Sequence, residues 1–506
     1  MPGELEVDLL IVGGGINGAG IARDAAGRGL RVCLVEQSDL AAFTSSASTK
    51  LIHGGLRYLE YGEIHLVREA LAERERLLAI APHIVRPLRF VLPQARGLRP
   101  AWQIRLGLMV YDHLGGRKLL APSRALDLRR DPAGEPLQPQ FVRGYAYSDC
   151  RVDDSRLVLL NALDAAERGA RIFTRTRLEA AHAERGGWTA DCRDLATQRR
   201  IRIRAAALAN AAGCWVEPVR RAADLPARAL VRLVKGSHIV VPRLFAGEAA
   251  YLLQNPDRRV IFAIPYERDL TLIGTTDVPY SGDPREVCVS PQEVEYLCAG
   301  VNRYFKSAVR ARDVVWRYAG VRALHESHAA RAQAVTRDYA LELERSSAGP
   351  VILSVIGGKL STYRSLAEAA LRKLRPFIGG SAHSWTGETP LPGGDAGPPA
   401  ALAARALSRW PFLPVSLARR LAHTYGTRME RILGSAASLA GLGAEFGGGL
   451  TAAEVDYLKA QEWAVTAEDI LWRRTKLGLE LTPAAQANLE SYLQAPHGVQ
   501  ALGAQP

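Results

Sequence analysis

The strongest constraint on this chain lies in its first 36 residues. An apolar run, VDLLIV at 7 to 12, ends in Gly13-Gly14-Gly15-Ile16-Asn17-Gly18. The next segment, AGIARDAAGRG, has helical composition, and RVCLVE follows as a second strand ending in Glu36. This is strand, turn, helix, strand, with Gly13, Gly15 and Gly18 at G-x-G-x-x-G spacing and an acid eighteen positions after Gly18. The spacing has a physical reason. Glycine lets the backbone turn tightly and approach a pyrophosphate, whose charge then lies at a helix N-terminus with unpaired N–H groups. Glu36 is suited to accept ribose hydroxyls, so the segment predicts a dinucleotide site, for FAD or NAD.

Two later segments repeat the arrangement of a strand running into small residues. Residues 171 to 176 (RIFTRT) and 201 to 215 (IRIRAAALANAAGCW) read as strands, the second ending in a turn at Asn210 to Gly213. PVILSVIGGKLSTYR at 350 to 364 gives a strand, a Gly357-Gly358 turn and a helix opening at Ser361 or Thr362 and running toward Leu374. Three such strand ends over 360 residues point to one cofactor domain assembled from distant segments, which a long flavin dinucleotide needs more than NAD does. The fold class is therefore α/β: an oxidoreductase region over 1–385 that combines a Rossmann-type cofactor domain, in pieces near 1–80, 145–220 and 350–380, with a sheet-based substrate domain largely over 220–345. A Gly- and Pro-rich linker spans 379–400, and Ala, Leu, Arg and Glu at helical spacing make 401–506 a helical domain.

Composition narrows the partners. Lys and Arg total 65 against 52 Asp and Glu, a net +13 that suits anionic substrates, acidic lipid headgroups or nucleic acid. The basic residues are dispersed and form no known nucleic-acid module, so nucleic acid is set aside. The six cysteines contain no CxxC pair, which argues against a disulfide framework or thiolate zinc site and for reduced, buried thiols in a cytosolic setting. The first eight residues lack the features of a secretion signal. No apolar run approaches the roughly 18 residues of a spanning helix, so membrane attachment would be peripheral or monotopic. Segment 99 to 119 mixes Trp102, Leu106, Leu108, Met109 and Tyr111 with Arg99, Arg105, Arg117 and Lys118, a combination fit for a membrane interface or for an ordinary amphipathic element.

Thr44 to Tyr61, TSSASTKLIHGGLRYLEY, is too polar and irregular for a core element and reads as a loop entering a site. Ser45, Ser46, Ser48 and Thr49 are candidate donors to phosphate or flavin carbonyls, and His53 and Arg57 candidate contacts for a small anion. His325 and His328 are three apart, but no Cys or acidic pattern completes a ligand set, and no metal site is expected.

The blocks GGGINGAGIARDAAGRG, TSSASTKLIHGGLRYLEYGE, YSDCRVDDSRLVLLNA, LVKGSHIVVPR, LIGTTDV, GVRAL, AVTRDY and GGKLSTYR occur in this order, with EDILWRRTKLGLEL near the C-terminus. Together they closely resemble the respiratory, FAD-dependent glycerol-3-phosphate dehydrogenases over nearly the whole chain. That resemblance implies non-covalent FAD and oxidation of sn-glycerol 3-phosphate to dihydroxyacetone phosphate. It also implies electron delivery to membrane quinone by a homodimer on the cytoplasmic face of the inner membrane. It assigns FAD to Gly13, Gly15, Asn17, Gly18 and Glu36, to Thr44, Ser45, Ser46, Ser48, Thr49 and Lys50, and to Gly357, Gly358, Lys359, Leu360, Ser361 and Thr362. Substrate falls to His53, Arg57, Tyr58, His238, Arg322, Arg337 and Lys359. A phosphate dianion favours forked guanidinium groups, here Arg322 and Arg337. The C2 hydroxyl needs a base, for which His53 and His238 are both eligible. Arg57 or Lys359 would favour negative charge developing on the oxygen or on reduced flavin. Two departures from the pattern are Ala212, where relatives commonly carry Thr, and Ala323, where they carry Pro in the turn expected to position Arg322. The competing readings are an oxidase of the same substrate using O2 and an amine or amino-acid oxidase of related fold.

Overall fold

The computed structural model describes residues 4–94, 99–116, 119–226, 228, 231–325 and 338–495. The chain forms two compact units, Met1–Asp395 and Ala396–Pro506.

The first unit carries two sheets. In one, strand order runs Ala340–Arg345, Val351–Ile356, Arg200–Asn210, β1 (Leu5–Val12), β2 (Val32–Val35) and Arg171–Phe173, with a hairpin of Thr176–Glu184 and Gly187–Asp194 attached to Arg200–Asn210. The strands from Val351–Ile356 to Arg171–Phe173 run parallel. The central ones are apolar toward their carboxyl ends, as a parallel sheet covered on both faces requires: Leu9, Leu10, Ile11, Leu34, Leu208 and Ile352 are fully buried. Register decides the function of this sheet. Val12 lies level with both Val35 and Asn210, and Asn210 level with Ser354. The chain therefore leaves at Gly13, Glu36, Ala211 and Gly357 along one edge, the crevice at the carboxyl ends of parallel strands where such folds bind ligands.

Helix α1 (Ile16–Gly27) packs against helices Asp154–Glu167 and Tyr363–Ile378. Close approach is possible because Gly20 lies under the Tyr363 ring, where a Cβ would come within 2.7 Å. Buried Arg23 of α1 ion-pairs with Asp164 at 2.6 Å and donates to the Thr386 and Thr389 carbonyls, tying the segment after the last helix to the sheet unit.

The second sheet has, among the described residues, ten strands, mostly antiparallel, with the long strand Val231–Pro242 toward one end of it. Trp316–His325 pairs along one edge of that strand, and Leu270–Gly274 and Val278–Pro279 along the other. Leu51–Ile52, Val85–Pro93, Arg124–Asp127 and Arg143–Val152 join it as well, so the sheet extends well N-terminal to the 220–345 stretch read from sequence. Its core is Ile239, Val241, Leu253, Ile261, Ile273 and Phe305.

The second unit is helical: Pro399–Arg409, Val415–Tyr425, Met429–Leu433, Ala452–Gln461 and Pro483–Gln494, with a π-helical turn at Asp469–Arg474. Leu402, Trp410, Leu421, Tyr425, Leu458 and Ile470 fill its core. Buried Glu454 accepts from Arg420 at 2.6 and 2.7 Å and from the Tyr425 hydroxyl at 2.7 Å. All six cysteines are free, and five are buried; Cys288 is exposed, against the expectation that every thiol is enclosed. Among the described residues no helix is long and apolar enough to cross a membrane.

Candidate functional site

A cavity of about 420 Å³ runs from the glycine turn after β1 to the second sheet. At its dinucleotide end Gly13 has φ +113°, and a Cβ there would lie 2.5 Å from the Ala211 carbonyl oxygen, so two strand ends touch through a missing side chain. Gly18 is not on the wall. Its Cβ would fall 1.9 Å from the Gly13 oxygen, so this glycine serves the packing of α1 onto its own turn rather than touching a ligand. Glu36 is buried on the wall and accepts from the backbone N–H groups of Gly14 at 2.6 Å and Ser38 at 2.8 Å. Burial pushes its pKa up, and those two hydrogen bonds oppose the shift. Two carboxylate oxygens offer about four acceptor sites, leaving capacity for hydroxyl donors.

Asn17 joins the first and third strand ends: its Nδ2 donates to the Gly357 carbonyl at 3.0 Å, across 340 positions of sequence. Its Oδ1 is buried without a hydrogen-bond partner while the residue lines the cavity. An unpaired buried acceptor, glycines at the points of closest approach and an acid at the end of β2 together fit the FAD that the sequence implies.

The hydroxyl-rich loop divides into wall and support. Thr44 Oγ1 donates to the Val321 carbonyl at 2.6 Å, Ser46 Oγ to Phe43 at 3.2 Å, and Ser48 Oγ to Asp154 at 2.7 Å. Their donors are spent on protein, which corrects the expectation that Ser46 and Ser48 reach the cofactor through their hydroxyl protons. Lys50, also expected at FAD, is buried with φ +58°, its Nζ 2.9 Å from both Asp154 oxygens and from the Ser46 carbonyl. It holds the loop from behind. Ser45 Oγ accepts from the Ile16 N–H at 3.0 Å and keeps its own proton to donate.

Beyond the loop, Leu51–Ile52 pairs with Arg151 and Cys150, so this stretch is partly strand rather than all loop. His53 lines the cavity and is fixed through its backbone, its N–H donating to Ser361 Oγ and its carbonyl accepting from it, both at 3.1 Å. The turn Leu56–Tyr61 brings Tyr58 to the wall, where Lys359 Nζ sits 3.8 Å from the ring centroid. Arg57, on the same turn, is half-buried and off the wall. Gly357, Gly358, Lys359, Leu360 and Ser361 all line the cavity; Thr362 is buried behind it as the helix Tyr363–Ile378 begins.

His238 also stands behind the wall. Its Nε2 is 2.9 Å from Thr49 Oγ1, its ring stacks on Tyr318 at 4.8 Å, and its Nδ1 is buried without a hydrogen-bond partner. Burial, reinforced by the charges of Arg322 and Lys50, holds its pKa well below 6.5. His238 is thus not equivalent to His53: His53 is on the wall, whereas His238 is off it, its Nε2 facing Thr49, which is on the wall, and its basicity is lowered by burial. Arg322 lies on a strand rather than a turn, so Ala323 sits in a continuous ladder opposite Leu233, and the feared loss of a rigid turn does not arise. Arg337 and His328 lie outside the described residues. Missed in the sequence were Gly236, Phe262 and Thr275, all on the wall; the blocks KGSH and LIGTTDV carried two of them without marking which residues face inward.

The nucleotide-binding sheet, the cavity at its strand ends and the second sheet closing that cavity define an FAD-dependent oxidoreductase. The profile of that class, FAD dependent oxidoreductase, matches residues 8–364, and that of the C-terminal domain of alpha-glycerophosphate oxidase matches 384–495. The chain is 53% identical to a glycerol-3-phosphate dehydrogenase of Pseudomonas aeruginosa, covering 97% of this chain and 95% of that one. It is 51% identical to a D-erythritol 1-phosphate dehydrogenase of Brucella abortus, covering 95% and 96%. The crystal structure of a glycerol-3-phosphate dehydrogenase from Bacillus halodurans complexed with FAD superimposes with a TM-score of 0.74 at 27% identity, covering 96% and 94%. The chain belongs to the FAD-dependent glycerol-3-phosphate dehydrogenase family.

Proposed function

We propose that this enzyme oxidises sn-glycerol 3-phosphate to dihydroxyacetone phosphate and passes the electrons to membrane quinone. The observation that carries the reading is one cavity lined by His53, Arg322 and Lys359, a candidate base and two cations, together with the glycine turns of the nucleotide-binding sheet. Bound FAD supplies the two-electron acceptor for the C2 hydride. Arg322, with Arg337 by resemblance, binds the phosphate dianion. His53 takes the C2 hydroxyl proton as the carbonyl forms. Lys359, close over the Tyr58 ring, favours negative charge developing on the reacting oxygen. The decisive experiment is anaerobic addition of glycerol 3-phosphate to the purified yellow protein: bleaching supports the reading, and an unchanged spectrum refutes it. Because a relative of 51% identity acts, by name, on D-erythritol 1-phosphate, the four-carbon polyol phosphate is the second reading; kcat/KM on the two compounds separates them.

The membrane surface is supported by helix Ala101–Leu114. Ile104, Leu108 and Tyr111 face inward, whereas Trp102, Leu106 and Met109, at i, i+4 and i+7, are exposed, Trp102 to 69%. Tyr61 and Ile64 are exposed apolar side chains of the neighbouring elements, and Arg68 and Arg105 are exposed cations. An apolar face with a basic fringe suits the cytoplasmic surface of an anionic inner membrane. Flotation with anionic vesicles should be lost when Trp102, Leu106 and Met109 become Glu; undiminished flotation excludes this helix as the contact. Quinone reduction against peroxide formation distinguishes the dehydrogenase from the oxidase, and sedimentation at working concentration tests the homodimer.

A further inference from the structure

Arg322 reaches its position by crossing a strand. It stands opposite Val234 on one edge of Val231–Pro242, and Val278, the residue after Asp277, stands opposite Lys235 on the other edge. Between them is Gly236, on the cavity wall, where a Cβ would lie 2.8 Å from Arg322 Nη2 and 2.8 Å from Thr275 Oγ1. The missing side chain at 236 leaves a track across the strand, and the guanidinium lies in it. On the far side Arg322 Nη1 donates to Asp277 Oδ1 at 2.6 Å, and Nη2 is 3.4 Å from Thr275 Oγ1. The Asp277 side chain is 9% exposed and is off the cavity wall; that of Arg322 is 27% exposed and on it.

A guanidinium on a long side chain gains most from its planar fork when the plane is already fixed. We propose that Asp277 is a positioning residue that, by anchoring Nη1, fixes the plane of the guanidinium that binds the substrate phosphate, an inference that rests on the phosphate reading above. It assigns a role to a carboxylate placed against the cation that binds an anion, an arrangement that would weaken binding if only net charge mattered. Orientation and charge thus predict opposite results.

The test uses holoenzyme. Asp277→Ala should raise KM for glycerol 3-phosphate and Ki for inorganic phosphate about tenfold or more, the range for losing a hydrogen bond to a charged group, while kcat moves less and FAD content stays stoichiometric. Asp277→Asn keeps an acceptor and should recover most of the affinity. Gly236→Ala, which leaves both charges in place but fills the track, should raise KM in the same direction. In an Arg322→Ala background, Asp277→Ala should add nothing. Tighter phosphate binding by Asp277→Ala, or full additivity with Arg322→Ala, would overturn the proposal. If Arg322→Ala alone leaves KM unchanged, the phosphate reading itself fails, and that result is distinct from either.

Discussion

Replacing His238 with glutamine removes a titrating group while leaving Thr49 a polar neighbour. In the folded chain the imidazole is fully enclosed, stacked on Tyr318, and kept neutral first by burial and then by the charges of Arg322 and Lys50. Its folded pKa is therefore well below the unfolded value of 6.5. As pH falls below 6.5 the unfolded chain takes up a proton that the folded chain refuses, so the equilibrium moves toward unfolding. The stability is complete above 6.5 and drains away below it. Each pH unit over which the unfolded histidine is protonated and the folded one is not costs about 1.4 kcal/mol. Urea unfolding of FAD-saturated protein at pH 8 and pH 5 measures it. The remaining ionisable groups are common to both proteins and cancel in the comparison. His238→Gln should lose less stability than wild type between those pH values, and the acid limb of its kcat profile should stay in place. An equal loss of stability in the two proteins would refute the argument.

Gly18→Ala places a Cβ 1.9 Å from the Gly13 oxygen, and overpacking of about 1 to 3 kcal/mol should weaken FAD binding about 5- to 150-fold, read from the flavin absorbance retained on purification. His53→Gln should keep FAD but slow anaerobic bleaching by about 10²- to 10⁴-fold, the usual range for a lost general base. Asp154→Ala strands buried Lys50 and should lower stability by about 3 to 5 kcal/mol in urea unfolding, with the loop from Ser46 to Thr49 losing its anchor.

The nucleotide-binding half was legible because its code is local. Glycine spacing, a strand before and an acid after are contiguous, and their physical reasons survive in the structure at Gly13 and Glu36. The convergence of three strand ends was also readable, since each carried its own small-residue turn. What sequence could not supply was facing. His53 and His238 look alike as letters, yet one lies on the wall and the other is sealed behind Thr49. Ser45 and Ser46 are neighbours, yet only Ser45 keeps its proton free of the backbone. Such differences come from pairing across long separations, as between Lys50 and Asp154 or Thr44 and Val321, and no local pattern marks them. The second sheet was drawn too narrowly for the same reason: Val85–Pro93 joins it through Arg143–Val152 on one side and Ala250–Gln254 on the other, partners that neither strand's own residues announce.

The level strand ends also set a timetable for biosynthesis. Because the wall needs Gly357 to Ser361 beside Gly13, a ribosome adding 5 to 20 residues per second works for roughly 20 to 70 s before the cofactor has anywhere to settle. Throughout that interval the first βαβ unit emerges with its cleft open on one flank. Flavin loading is thus a late event in the life of the nascent polypeptide, and chains released before residue 357 should emerge colourless.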